Sequence, residues 1–193
     1  MIEHVLAAAK PVAASTSIII NAANPNAGRY QKLAERWNAR LLHDLHDHQG
    51  PLGGIHTALK HCPAGGSALI LACDMPFVTA EFLSLLCAMH QSERSQIVES
   101  DQPLITVPSD HEGRLQPLAA VYAQSCLTVV EERLTLSQLK VDRLYDVIPT
   151  QRVAFSAFAH LPTAQTLLQN INTQTDHQVS INIGQQPLTA DSS

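Results

Sequence analysis

Apolar residues change their spacing several times along the chain, and each change marks an element. Ile2, Val5, Leu6 and Ala9 recur at helical intervals until Pro11 ends the run. Residues 17–21 (SIIIN) form a β-branched run that predicts a strand, followed by the turn-forming NAANPNAGR. A helix is predicted over residues 30–37 and a short strand over 40–42, running into HDLHDHQGPLGG. Gly53 and Gly54 open a further helix through Ile55, Ala58 and Leu59 that stops near Pro63. Residues 68–72 read as a buried strand, and a helix from Ala80 to about His90 follows with Thr79 as its N-cap. Beyond it, residues 96–98, 104–107 and 118–122 predict short strands, 124–134 a helix, and the segment after Pro162 another helix.

Strands and helices thus alternate in units of the length a parallel crossover needs. The fold class expected is α/β, a Rossmann-like and mostly parallel sheet with helices on both faces. At 193 residues one domain is expected, over 1–176, with residues 177–193 a polar tail expected to be disordered.

A net charge of −5 argues against a nucleic-acid partner, although backbone amides can still hold a small anion. Cys62, Cys73, Cys87 and Cys126 form no CxxC pair, which suits a reducing compartment. Without a signal sequence or a long apolar run, the expected location is the cytoplasm, away from membranes.

Ligands of open parallel sheets bind outside the carboxyl ends of the strands. Asn21 and Asn24, Asp44, and Asp74 of LILACDMPF each follow a predicted strand, so they share one rim if those strands are parallel neighbours. Asp74 is suited to hold Mg2+ against nucleotide phosphates, since that ion takes one or two carboxylates plus phosphate and water oxygens. The plainer alternative is a turn residue or helix cap accepting backbone N–H groups. Asn21 and Asn24 suit a left-handed turn equally well. In GPLGGIHTAL the glycines fit either an anion loop at a helix N-terminus or close helix-to-strand packing. The histidines of HDLHDH, His43, His46 and His48, lack a second set of zinc ligands and read better as a solvated loop.

Together, IEHVL, SIIINAAN, LLHDLHDHQGPLGGIHTAL, LILACDMPF, GRLQPLAAVY and NINT form an ordered series that resembles the molybdenum cofactor guanylyltransferases, nucleotidyltransferases with a Rossmann-like sheet. The resemblance implies transfer of GMP from Mg-GTP to the terminal phosphate of molybdopterin, with release of pyrophosphate. It implies that Asp74 is the catalytic Mg2+ ligand, that Asp44 helps hold the nucleotide, and that Asn24 lies on the guanine side, with Asn21 as the alternative. Gly53 and Gly54 match small residues under the nucleotide. Gln116, Pro117, Asn170 and Asn172 match regions facing the pterin. The family usually continues NINT with Pro-Glu-Asp, where this chain has Gln174, Thr175 and Asp176. Partners implied are GTP, the molybdopterin cofactor, and molybdoenzymes or their chaperones.

The family also carries a strand and the signature Leu-Ala-Gly-Gly-x-Ser-x-Arg-Met-Gly-x-Asp-Lys ahead of the segment matched by MIEHVL. The sequence contains no such signature. The expectation is a sheet with a gap or a new edge where that strand would lie, and a reduced phosphate cradle with impaired activity for the polypeptide as written. Two other readings follow: a nucleotidyltransferase using CTP or a sugar phosphate, or a non-catalytic domain that binds the cofactor.

Overall fold

In the computed structural model, residues 1–45, 49–96 and 101–170 are described. Helix α1 (Ile2–Ala9) leads to strand β1 (Ser17–Ile20), helix α2 (Ala27–Trp37) and strand β2 (Arg40–His43). Helix α3 (Gly50–Lys60), strand β3 (Ser67–Leu71) and helix α4 (Ala80–Gln96) follow. Strands β4 (Ile105–Pro108) and β5 (Ala119–Ala123), helix α5 (Leu127–Thr135), a 3-10 segment (Val141–Asp146) and strand β6 (Thr150–Val153) complete the order.

Local chemistry explains the boundaries. Asn38 ends α2 in the left-handed region at φ 51°, its N–H bonded to the carbonyls of Ala34 and Glu35. Gly50 enters α3 at φ +58°, and Pro51 occupies the first turn, where a missing N–H costs nothing. Thr79 Oγ1 accepts the Phe82 N–H at 3.3 Å, the cap expected for α4.

Strands β3, β5, β4 and β6 form one sheet in that order. β4 and β6 are parallel, while β5 runs antiparallel to both β3 and β4, so three of the four strands share a direction. Side chains alternate across this sheet. Leu69, Leu71, Ala119 and Val121 pack with α1 and α4, and Ala68, Ile70, Ala120 and Tyr122 with α3 and α5. The helices therefore cover both faces, as expected. A third cluster joins Leu6 of α1 to Ile18, Ile20 and Ala34.

The sheet is also divided, as the sequence led us to expect. Among the described residues β1 pairs in parallel with β2 alone, and β3 with β5 alone. Helix α1 contributes Leu6 to the β1 cluster and Val5, Ala8 and Ala9 to the cluster under β3, while α3 packs on both β1 and β3. The edge chemistry follows the same division. Outer strands β2 and β6 carry Arg40, His43 and Arg152, whereas β1 (SIII) and β3 (SALIL) each have an edge that no described strand pairs, with no charged residue.

Four details differ from the sequence expectations. Helix α3 opens at Gly50, which places Gly53 and Gly54 inside its first turns. Gln96 closes α4 and does not begin a strand; Ile97 and Val98 lie outside the described residues. After Pro162 there are successive three-residue turns, Ala164 N–H to Leu161, Thr166 to Thr163 and Gln169 to Thr166, with Thr163 at φ 56°, so no α-helix forms over residues 163–170. Strand β6 was not expected, because TQRV is short and mostly polar. The 176/177 boundary and the tail lie outside the described residues.

Candidate functional site

Helix α3 runs back from the carboxyl end of β2 to the amino end of β3, so the carboxyl ends of both strands face the same side. Because β5 is reversed, its first residue, Ala119, lies opposite Leu71 at the end of β3, and β4 ends there too. By connectivity one side of the fold carries Asn21 and Asn24 after β1, Asp44 after β2, Asp74 after β3, and the loop joining β4 to β5 with Gln116 and Pro117, although β3 is not paired with β1 or β2 among the described residues.

Asp74 is half-buried between exposed Cys73 and the core residue Met75. Its carboxylate accepts no hydrogen bond from a described residue, and the cap of α4 is Thr79. Asp74 thus lies in the turn after β3 without its side chain capping α4 or accepting a described backbone N–H. Burial, and secondly the Asp74 charge, push the Cys73 thiol above its ordinary pKa. Among the described residues no three His, Cys, Asp or Glu side chains converge as a metal cage. A lone, hard oxygen ligand at a rim suits Mg2+, which draws its other ligands from phosphate and water, and does not suit zinc.

Asp44 is fixed from two directions. Its N–H bonds Ile20 O at 2.7 Å, and its Oδ1 accepts the Thr57 hydroxyl at 3.1 Å. Thr57 is fully buried in α3, and the same hydroxyl oxygen accepts the Leu45 N–H at 3.1 Å. The asparagines do make turns: Asn21 Oδ1 accepts the Ala23 N–H at 2.8 Å and Asn24 Oδ1 the Asn26 N–H at 2.9 Å. Each amide NH2 is left as the group able to meet a ligand acceptor, and Asn24 is the more buried of the two.

The β4–β5 loop is built around a residue that sequence reasoning missed. Asp110 is 8% exposed; its Oδ1 accepts the N–H groups of Glu112 and Arg114, each at 2.9 Å. Its Oδ2 accepts Arg114 Nε at 2.9 Å and Gln116 Nε2 at 3.1 Å. Burial alone would raise the Asp110 pKa, but the hydrogen bonds from Arg114 and Glu112 outweigh it and hold the carboxyl below its usual range. The Gln116 N–H bonds Pro108 O at 2.9 Å, and the Pro117 carbonyl accepts the Tyr122 hydroxyl at 2.9 Å. Ala72 N–H bonds Leu118 O at 2.7 Å, tying this loop to the one that carries Asp74. The Asp-x-x-Gly turn pattern of residues 110–113 marked a turn, but not the hub of the loop.

Other singled-out residues fall elsewhere. Gly53 and Gly54 sit in α3, Asn170 is exposed at the end of the described chain, and Asn172, His46 and His48 lie outside it. Two cavities, of about 690 and 510 Å3, flank α5 and are lined by none of the rim residues.

An open α/β fold with one strand-end aspartate that accepts no hydrogen bond from a described residue and another locked by Thr57 fits a nucleotidyltransferase type of architecture. Residues 1–153 match the family described as MobA-like NTP transferase domain, and the chain belongs to that family. It is 34% identical over 142 residues to a probable molybdenum cofactor guanylyltransferase of Pelotomaculum thermopropionicum, covering 73% of this chain and 63% of that protein. A counterpart in Carboxydothermus hydrogenoformans is 26% identical over 183 residues, 95% of this chain and 82% of the relative. The crystal structure of molybdopterin-guanine dinucleotide biosynthesis protein A from Archaeoglobus fulgidus superposes with a TM-score of 0.71 at 25% identity, covering 95% of this chain and 84% of that one. The chain spans less than two thirds of the length of the first of these relatives.

Proposed function

We propose that this chain serves guanylyl transfer from GTP to the molybdopterin cofactor. The observation that carries the reading is Asp74: a half-buried carboxylate with no hydrogen bond from a described residue, at the carboxyl end of β3, one backbone hydrogen bond from the acceptor-side loop. Leaving a partly desolvated carboxylate without a donor costs stability, so a cation supplied with the substrate gives it a function.

In the reaction, an oxygen of the pterin's terminal phosphate attacks the α-phosphorus of GTP. A new P–O bond forms as the bond to the β-phosphate breaks, and pyrophosphate leaves. No side-chain nucleophile is needed, because the attacking oxygen is already anionic. Mg2+, held by Asp74 together with phosphate oxygens, would neutralise charge there. Asp44, locked by Thr57, Asn24, and the first turns of α3 with Gly53 and Gly54 are assigned to the nucleotide. Gln116 and Pro117, with Asn170 and Asn172, are assigned to the pterin. Among the described residues no helix is long and apolar enough to cross a membrane, and we assign the reaction to the cytoplasm, with molybdoenzymes or their chaperones receiving the product.

The test is transfer of label from α-32P-GTP to molybdopterin, with CTP and ATP as competitors. The Asp74→Ala variant should lose about a hundredfold or more of the rate, with a melting temperature no lower than that of the wild type. Retained turnover by that variant, or preference for CTP, would remove the reading. Pterin binding with no turnover of any nucleotide would favour the non-catalytic binding domain instead.

A further inference from the structure

The geometry points to Asp110 as the positioning residue that fixes which end of the Gln116 amide faces the acceptor, so that the site reads an N–H donor on a heterocyclic ligand. The inference rests on the assignment of Gln116 to the acceptor side.

A glutamine amide has a donor end and an acceptor end of nearly equal size, and a neighbour must decide between them. Here the neighbour is an ionised carboxylate, which only accepts. Asp110 Oδ2 lies 3.1 Å from Gln116 Nε2, so the NH2 end is committed to Asp110 and the oxygen, Oε1, is left without a partner among the described residues. The backbone of Gln116 is fixed independently by its N–H bond to Pro108 O at 2.9 Å and by the Ala119 N–H to Gln116 O bond at 3.0 Å. What faces the rim is therefore a positioned acceptor. It matches ligands that offer ring N–H or exocyclic amino hydrogens, as a pterin does, and it would be mismatched to a ligand offering only acceptors.

Asp110 is itself over-determined. Oδ1 is held by two backbone N–H groups, Glu112 and Arg114 at 2.9 Å each; the Gly113 N–H closes the turn on Asp110 O at 3.0 Å, and φ +81° at Gly113 turns the chain so that the Arg114 N–H comes back to Oδ1. An asparagine at this position must keep its oxygen where those two donors meet it. Its nitrogen then falls at the Oδ2 place, donor facing donor, and the Gln116 amide turns over to present NH2 to the ligand.

The experiment exploits that inversion. Binding of neopterin monophosphate is followed by its fluorescence, and binding of GTP by calorimetry, for the wild type, Asp110→Asn, and the double variant Asp110→Asn/Gln116→Glu. Asp110→Asn should weaken pterin binding about tenfold while GTP binding changes less than about twofold. The double variant keeps the total charge. Its glutamate accepts from the asparagine NH2 with one oxygen and presents the other to the ligand, so pterin binding should return to within about threefold of the wild type. A purely structural role for Asp110 predicts no such rescue and equal losses for both ligands, and either result would overturn the assignment, as would a wild type that does not bind the pterin. If the predicted binding pattern holds but GTP is not turned over, the guanylyltransferase reading fails and this one stands. If GTP is turned over and Asp110→Asn binds the pterin normally, the reverse is true.

Discussion

His90 sits at the opposite end of the sheet from the rim, and its protonation should set the acid limit of the fold. It is 1% exposed, with Nε2 2.9 Å from Ser67 Oγ and Nδ1 2.9 Å from Thr106 Oγ1. The Thr106 hydroxyl gives its hydrogen to Gln151 Oε1 at 3.0 Å, so it must accept from His90. The neutral ring therefore carries its proton on Nδ1 and accepts at Nε2 from Ser67, which in turn accepts from Arg94 Nη1 at 3.0 Å. Gln151 passes the chain on to Glu93 at 3.2 Å. Burial first, and the Arg94 charge second, lower the His90 pKa from 6.5 to about 4. Since the folded pKa is the depressed one, the unfolded chain takes up a proton that the native state refuses. Stability is complete above pH 6.5 and is lost progressively down to pH 4, by about 3 kcal/mol over that span. Urea denaturation of the wild type and His90→Gln at several pH values between 7.5 and 4.5 measures it, because the variant lacks the titrating group. Equal pH slopes for the two proteins, or a 15N spectrum showing the Nε2–H tautomer, would refute the reasoning.

Three further outcomes are expected. Thr57→Val keeps the buried shape but removes the hydroxyl shared by Asp44 and Leu45; it should cost about 1–3 kcal/mol in urea denaturation and weaken GTP binding, with Thr57→Ser close to the wild type, and a loss below about 0.5 kcal/mol would argue against the lock. Ile19 is the half-exposed isoleucine of β1, whose edge not paired by a described strand carries no charge; Ile19→Lys should reduce concentration-dependent self-association in sedimentation velocity, and identical profiles would mean the edge is not the contact. Asn38→Gly at φ 51° should raise the melting temperature by about 1–3 °C, whereas a fall would show that the Asn38 side chain matters more than its backbone strain.

Sequence reasoning recovered the elements whose signal is local. SIII and SALIL are apolar runs that behave as strands in almost any context, and the spacing of Ile2, Val5, Leu6 and Ala9 admits one buried helix face. It placed the opening of α3 too late, although Gly50-Pro51 carries both the left-handed glycine and the first-turn proline, because the later pair of glycines drew the boundary forward. Strand β6 exists through its parallel pairing with β4, Ile105 to Thr150 and onward, a contact about 45 residues away in sequence that TQRV does not announce by itself. The site divides in the same way. Asp74 and Asp44 are visible because a charge where an apolar strand ends demands a reason. Asp110 and Thr57 are not, because their importance lies in which atoms they meet after folding, and an aspartate in a turn or a threonine in a helix meets nothing in the sequence.

The division of the sheet decides how these pieces can cooperate. Asn24 and Asp44 stand on the β1–β2 pair, Asp74 and Gln116 on the four-stranded sheet, and among the described residues no strand hydrogen bond connects the two sets. Helix packing holds them in register: Leu6 of α1 on the β1 side with Val5, Ala8 and Ala9 on the other, and α3 against both β1 and β3. Side-chain packing tolerates small shifts that a ladder of backbone hydrogen bonds would resist, so the separation of Asp44 from Asp74 is the softest dimension of the site. A ligand that spans both, as a nucleotide bound to Asp44 and a metal-bound phosphate at Asp74 would, must take up that softness at a cost in ordering entropy. Thr57 bears directly on this cost, because it binds Asp44 from the helix that also packs on β3, and so couples the nucleotide-side aspartate to a scaffold shared by both halves.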